Sequence, residues 1–526
     1  MCRAAGPGAR WHPCYRPRVL VSESTLEAPP VPESVPATPA GDVSPEPWTL
    51  RLFVRQHPWW TVAIGLVAVS GVFVLWAGTR PGYDPYGWLV WGYQTLHLTL
   101  DLGGAPSWKP LPYLFTVPFA VFGHYALYLW MVTCVAVSLA GAVFAGRIAY
   151  RLVGPGGRGR YPAIAAAVFA GLAVLGLEDY MHDILSAQSD PMIVTFCLAA
   201  IDCHLLGRYR WAFVLGVLAA LGRPEAWPFL GLYAIWAWRR IPSMRWLLYG
   251  GAAVILFTWF GIPEITNHRP LVAGQLALKS PRELHQNKVV GTLGRFTELE
   301  YLPVWLAALA AVGWAVWRLN RLVLMLAGGA AAWVVVEVAF ALHGWPALPR
   351  YLMEPAGVAV VLAGAAVGWT LKEAPRIRRG LPRWAGIPIV VVLVGSLVPG
   401  ALARMRNERS DLHHERGRTH EIALLQTTLN VLGGYRHIRN CGEPVTNVEY
   451  VSAMAWFVKL DVGFVGHRPD FELHQKYPIV LFTPLVHGGW SVLPWHTRAS
   501  QLARCSRLKA AYVITRRHPG GVLVRR

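Results

Sequence analysis

From residue 59 onward the chain alternates between long apolar runs and short basic links. "WWTVAIGLVAVSGVFVLWAG" and "LYLWMVTCVAVSLAGAVFAG" are the clearest runs, followed by "AIAAAVFAGLAVLGL" and "MIVTFCLAAIDCHLL". Further runs cover 246–263, 301–318, 321–341, 351–370 and 384–402. Runs of roughly 18–22 residues match a hydrocarbon layer about 30 Å thick crossed at 1.5 Å per helical residue. Two stretches break the pattern. "YLFTVPFAVFG" is too short to cross and carries Pro118, so it reads as a juxtamembrane or re-entrant helix. "WAFVLGVLAALGRPEAWPFLGLYAIWAWRR" is basic at both ends and interrupted at Arg223-Pro224-Glu225, which predicts two short helices meeting at the proline. The pattern predicts a polytopic α-helical membrane protein of about eleven spans.

The basic links fix an expected orientation. Arg51, Arg55 and His57 precede the first run, and "RIAYRLVGPGGRGR", "GRYR", "RRIPSMR", "RLNR" and "KEAPRIRRGLPR" recur at alternate links. By the positive-inside rule these links are cytoplasmic, the N-terminus lies inside and the C-terminal part outside. Residues 1–50, rich in Pro, Ala, Ser and Glu, read as a disordered cytoplasmic tail without a secretory signal. Residues 51–402 form the expected transmembrane domain. From 403 to 526 the pattern changes: "HEIALLQTTLNVLGGY" has helical spacing, while "YPIVLFTPL" and "KAAYVITRR" read as buried strands. These predict a small extracytoplasmic α/β domain.

Composition agrees with a membrane setting. Of 526 residues 54% are hydrophobic and 15% charged, where a soluble protein carries about a quarter charged residues. A formal charge of +20 would suggest a nucleic-acid partner in a soluble chain. Here the cations gather in the short links, so the expected partner is the lipid bilayer and no nucleic acid. Among seven cysteines, Cys134, Cys197 and Cys203 fall in apolar runs and Cys2 and Cys14 in the tail. Cys441 and Cys505 form the natural pair if the C-terminal part faces an oxidising compartment. Such a bridge would close a loop of some 65 residues and contribute ~4 kcal/mol.

The segment after the first span, "GYDPYGWLVWGYQTLHLTLDLGGAPSWKPLP", is far more elaborate than a connector needs. It carries Asp84, Asp101 and Lys109, and Arg223 is expected at the same face. Charges at the ends of spans need partners, and one carboxylate beside two cations suits a substrate with a lipid tail and an anionic head. A polyprenyl phosphate departs already ionised and needs no general acid. One base to deprotonate an attacking hydroxyl, with cations on the developing phosphate charge, is then sufficient.

"YDPYGWLVWGYQ" followed by "WKPLPYLFTVPFAVFG" resembles the first outer loop of the GT-C glycosyltransferases, nearest to the protein O-mannosyltransferase and aminoarabinose-transferase type. "GRPEAW" is similar to their broken helix pair, and "LPRYLMEPAGV" to their late Arg-Tyr-Leu stretch. The likeness covers about 55–400 and is specific in the first loop. It implies a GT-C-like fold and transfer of a sugar from a polyprenyl-phosphate donor to a glycan, lipid or protein acceptor. It also implies Asp84 as base, Lys109 and Arg223 on the donor phosphate, and closure by the outer loop near 265–300. The chain departs from the family pattern in having Asp84-Pro85 for Asp-Glu, so the second acidic role is empty or moves to Asp101. Lys109-Pro110-Leu111-Pro112 replaces Lys-Pro-Pro. An Ala-, Arg- and Gly-rich composition suggests an actinobacterial source, which favours arabinofuranose or mannose, a decaprenyl-type carrier and a cell-envelope glycan.

The remaining candidates each have a plainer alternative. Arg350 and Tyr351 fit either a site-closing donor-phosphate element or an interfacial anchor. Glu178, Asp179, His182, Asp183 and Asp190 share one outer link, where acceptor binding, a divalent-cation site and a solvated loop all fit. Glu225 is expected to bind substrate or clamp Arg223. Trp88, Trp91 and Trp108 suit sugar stacking or an interfacial belt, and Tyr83 joins the substrate-binding candidates beside Asp84. His413, His414 and His420 lack a zinc spacing, and no metal ligand set is assigned. A flippase of lipid-linked sugars would want polar residues along a central path and related halves. A non-catalytic scaffold in cell-wall assembly is the other rival, favoured by Pro85.

Overall fold

The computed structural model describes residues 57–104, 108–154, 160–278, 282–285, 287–377, 385–468, 478–485, 488–495, 511–515 and 522–524. The expected tail at 1–50, Cys2, Cys14 and Cys505 lie outside them, and with Cys505 the proposed pairing to Cys441.

Helices occupy every stretch expected to cross. They are α1 (Pro58–Ala77), α4 (Ala126–Val153), α5 (Arg160–Leu175), α7 (Asp190–Leu205), α8 (Tyr209–Gly222), α9 (Trp227–Arg240), α10 (Arg245–Leu256), α14 (Leu302–Arg318), α15 (Arg321–Leu342), α16 (Met353–Ile377) and α17 (Gly386–Val431). Between them lie α2 (Tyr83–Leu96), α3 (Pro110–Ala120), α6 (Tyr180–Leu185), α11 (Ile262–Asn267), α12 (Val272–Ala277) and α13 (Lys288–Glu298). α10 continues through a π turn at Phe257–Gly261 into α11. Six segments among the described residues are long and apolar enough to cross a membrane, or seven if α13 and α14, bent by 99°, form one span. α5, α7, α8 and α9 are 14 to 16 residues long and fall short of that length. The chain is a multi-pass membrane protein; the count of eleven crossings stays an expectation.

Proline sets the breaks. α8 stops at Gly222, Arg223 is extended (φ −148°, ψ 130°), and a 3₁₀ turn at Pro224–Ala226 leads into α9. A proline disfavours the helical conformation in the residue before it, and here the helix pair breaks where Arg223-Pro224 predicts. Lys109 is likewise extended (φ −137°, ψ 121°) ahead of Pro110, which opens α3.

The apolar stretch of α16 is 94% buried, against 17% for α1 and 6% for α17. α16 is therefore the axis of the bundle, contacted by α4, α5, α7, α14, α15 and α17. Small residues allow the close approach that stands in for hydrophobic association in lipid. A Cβ at Gly364 would lie 2.7 Å from the Ala166 carbonyl oxygen. In the first loop, a Cβ at Gly92 on α2 would lie 2.5 Å from the Thr116 carbonyl on α3, so these two helices touch by their backbones.

α17 has 46 residues and is roughly 69 Å long at 1.5 Å per residue. It is over twice the hydrocarbon thickness, so it leaves the bilayer as one continuous rod. The domain boundary expected at 402–403 falls inside this helix. Its arginines tie down loops at the bundle's end: Arg416 donates from Nε to the Ala77 carbonyl at 2.7 Å, satisfying an orphan acceptor at the end of α1. Arg418 donates to the Arg80 and Pro81 carbonyls at 2.9 and 2.8 Å.

The C-terminal part contains α18 (Gly434–Cys441), α19 (Val451–Val458) and a five-stranded sheet: β1 (Glu443–Val445), β2 (Ile479–Pro484), β3 (Trp490–Trp495), β4 (Ala511–Ile514) and β5 (Val522–Val524). The order is β1-β2-β3-β4-β5. β1 and β2 are parallel and the rest antiparallel, with Val480 opposite Pro494 and Val492 opposite Tyr512. Both strands expected from the sequence are present. α19 packs on α2, with Phe457 against Tyr86 at a ring separation of 6.4 Å. Gln94 donates to Asp461 at 3.0 Å.

Candidate active site

Asp84 lies in the first turn of α2, where the helix N-terminus favours a carboxylate. Lys109 precedes α3, Asp190 opens α7, Arg223 ends α8, Arg350 lies in the 3₁₀ turn Pro349–Leu352 and Glu354 starts α16. Five stretches well apart in sequence thus bring these six charged residues to the same place.

Asp190 is the hub. One of its oxygens accepts from Lys109 Nζ at 3.0 Å and also from Arg223, while the other stands 3.9 Å from Arg350. Arg223 forms a second ion pair with Glu354, Nε to Oε1 at 3.0 Å, and donates to the Arg350 carbonyl at 2.8 Å. Its guanidinium carbon lies 4.3 Å from the centre of the Tyr351 ring. Arg350 reaches Asp84 with Nη2 to Oδ2 at 3.4 Å. The ion-paired set therefore has three cations, Lys109, Arg223 and Arg350, and three carboxylates, Asp84, Asp190 and Glu354. Balanced pairing is what a largely buried set of charges requires.

The six differ in reach. Asp190, Arg223 and Glu354 are fully covered, whereas the side chains of Lys109, Asp84 and Arg350 are 13, 15 and 20% exposed. Arg350 is also the least satisfied, because its contacts are long and its buried Nε has no hydrogen-bond partner among the described residues. Burial lowers the Lys109 ammonium's pKa, opposed by the neighbouring Asp190 carboxylate. Burial raises the Asp183 carboxyl to about 8, helped by Asp190, and one Asp183 oxygen has no hydrogen-bond partner among the described residues.

The other expected residues separate into groups. Glu225 is buried beside Arg223, with Glu337 of α15 against it. Tyr83 reaches towards Ser452, and burial raises its hydroxyl's pKa, with Asp84 adding to the effect. Trp88 and Trp108 are closed off: Trp88 packs edge-on against Trp130 at 5.5 Å, and Trp108 against Trp91 at 5.5 Å and Tyr113 at 5.0 Å. With 0 and 2% of their surface exposed, both rings pack in the core. Asp101 is not brought to the hub. It accepts from Gly103 N at 2.8 Å and Asn267 Nδ2 at 2.5 Å, closing the loop that follows α2. Glu178 pairs with Arg404 of α17 at 2.7 Å and His182 with Asp411 at 3.7 Å. Asp179 takes a left-handed conformation (φ 62°) ahead of α6. Among the described residues no group of three or more His, Cys, Asp or Glu is arranged to hold a metal ion.

Sequence reading placed Asp190 at a loop without giving it the central part, and missed Glu337 and Glu354. A signal was present. Asp84, Lys109, Asp190, Arg223 and Glu354 each directly precede a proline.

The fold has a known counterpart. The crystal structure of ArnT from Cupriavidus metallidurans in the apo state matches 82% of this chain and 93% of its own, with a TM-score of 0.50 at 14% identity. The chain thus shares the fold of that ArnT structure over most of its length. No family model and no curated protein matches the sequence.

Proposed function

We propose that the protein is a membrane glycosyltransferase that moves a sugar from a polyprenyl-phosphate donor to a hydroxyl of a cell-envelope acceptor on the extracytoplasmic face. The observation that carries this reading is the meeting of Asp84 with Lys109 and Arg350 around Asp190, all three within partial reach of a ligand. The ArnT-like fold supports it independently.

In this reading Lys109 and Arg350 hold the donor phosphate, and the covered Arg223 positions Asp190 and Glu354 beneath them. The acceptor oxygen attacks the anomeric carbon from the face opposite the phosphate. The bond from that carbon to the phosphate oxygen breaks with its electron pair, which leaves on the polyprenyl phosphate. The acceptor's proton passes to an Asp84 oxygen, and the configuration inverts. Cations fixed around the leaving phosphate lower the barrier because they need no reorganisation as charge develops. The proposed orientation has the N-terminus inside and the C-terminal sheet outside, with arabinofuranose or mannose as the first sugars to try.

The test incubates the purified full-length protein with polyprenyl-phosphate arabinose and mannose, several cell-envelope acceptors, and Asp84→Asn alongside. Transfer by the wild type and not by a folded Asp84→Asn supports the reading. Donor binding retained by both, without transfer from any donor, overturns it in favour of a scaffold.

A further inference from the structure

Arg147 and Arg151 lie in the last two turns of α4, with Arg151 in the last. Each pairs through Nε with one oxygen of Asp202 on α7, at 3.1 and 3.0 Å. Asp202 is 1% exposed, while the two arginine side chains are 31 and 32% exposed. One carboxylate neutralises one guanidinium, so the trio keeps a net positive charge. Among the described residues, the Nη groups of both arginines have no hydrogen-bond partner. Arginine offers a planar fork that matches phosphate oxygens, and here both forks are open.

These arginines line a groove of about 630 Å³ whose remaining walls are Ala142, Val143, Gly146, Tyr150, Ala167 and Val168. The groove follows the seam where α4 and α5 approach by their backbones: a Cβ at Gly146 would lie 2.9 Å from the Ala167 carbonyl oxygen. Apart from the two arginines and Tyr150, its walls are apolar. Asp202 lies twelve residues beyond Asp190 on α7, so the arginine pair is roughly 18 Å from the charged hub along that helix. In the proposed orientation it belongs to the opposite leaflet. Trp59 packs there, with the Arg147 guanidinium carbon 4.4 Å from its ring centre.

We infer that this groove is a binding site for an anionic phospholipid of the leaflet opposite the charged hub, with an acyl chain along the α4–α5 seam and its phosphate between Arg147 and Arg151. Charge complementarity selects the occupant. A zwitterionic lipid brings no net charge to the uncompensated guanidinium, and a free phosphate ion leaves the apolar trough unfilled. Basic pockets between helices at a cytoplasmic surface hold anionic headgroups by the same physics.

The full-length protein in neutral detergent is titrated separately with phosphatidylglycerol, phosphatidylcholine and inorganic phosphate, with binding read by native mass spectrometry and thermal unfolding. Retained phosphatidylglycerol and a higher unfolding temperature, neither seen with phosphatidylcholine or phosphate, are the expected results. Arg147→Gln, which leaves Arg151 to pair with Asp202, is expected to weaken phosphatidylglycerol binding about tenfold, a loss in the range of one charge-assisted contact. As a check independent of charge removal, Ala142→Trp blocks the trough and is expected to abolish the retained lipid. Equal stabilisation of the wild type by both lipids, or by phosphate alone, overturns the assignment.

Discussion

Arg350 Nη2 stands 3.4 Å from Asp84 Oδ2, across 266 positions of sequence, and its Nη1 is 3.9 Å from Asp190. The same guanidinium thus engages the proposed base and the hub that gathers the other cations. Under the proposed function, a donor phosphate entering between Lys109 and Arg350 would compete with Asp84 for Arg350 and release the carboxylate to take a proton. Asp84→Asn is expected to lower the rate of transfer by about 10²–10⁴-fold, the range of general-base catalysis, with donor affinity nearly unchanged. Arg350→Gln is expected to weaken donor binding by about ten- to a hundredfold, since a hydrogen bond to a charged group contributes about 1.5–3 kcal/mol. Initial rates and donor titration separate the two effects.

Arg223 has a different expected signature. It is 2% exposed and joins Asp190 to Glu354, so Arg223→Met leaves two buried carboxylates short of a partner. Breaking a buried pair from one side costs about 3–5 kcal/mol. The unfolding temperature should fall sharply, and adding Glu354→Gln should recover part of the loss. If Arg223→Met retains full stability and loses only donor affinity, Arg223 contacts the phosphate directly.

The pH dependence of stability follows from Asp183. Burial, helped by Asp190, raises its folded-state pKa to about 8, above the usual carboxylate value. A folded state that binds the extra proton between the two values loses stability as pH rises through that window. Its contribution is fully present below about pH 4, the unfolded carboxyl's pKa, and lost by about pH 8. Asp183→Asn should therefore unfold at a higher temperature than the wild type near pH 8 and at nearly the same temperature near pH 4. Parallel melts across pH 4–8 check this, and a constant difference across the range would count against it.

Much of the bundle was legible because the bilayer imposes a length and a polarity on each crossing. The helices at 58–77 and 321–342 follow from that alone, and the break at Pro224 from that and the proline together. The short helices 209–222 and 227–240 show where this reasoning weakens, since protein neighbours can cover what lipid does not. At the hub, Lys109 and Arg223 were legible as ionisable residues at the ends of apolar runs. Asp190 was not singled out because its loop carries four other ionisable residues, and only packing decides which one faces inward. Trp88 and Trp108 show the opposite case: an aromatic in an outer loop looks available until its neighbours close around it.

That closure gives the last prediction. Trp108 is 2% exposed, with Trp91 and Tyr113 against its ring, and it directly precedes Lys109. If it is a core residue, Trp108→Phe retains an aromatic face and should be mild, while Trp108→Ala opens a cavity costing about 3–5 kcal/mol. The cost should appear first as a lower unfolding temperature. Any loss of activity at low temperature should then follow from displacement of Lys109 and shift donor affinity without changing the choice of sugar. A sugar-stacking role predicts the reverse, with stability kept and the preference between arabinose and mannose donors altered by Trp108→Phe. Unfolding temperature and donor competition, measured on both variants, decide between a ring that holds the loop and one that holds the substrate.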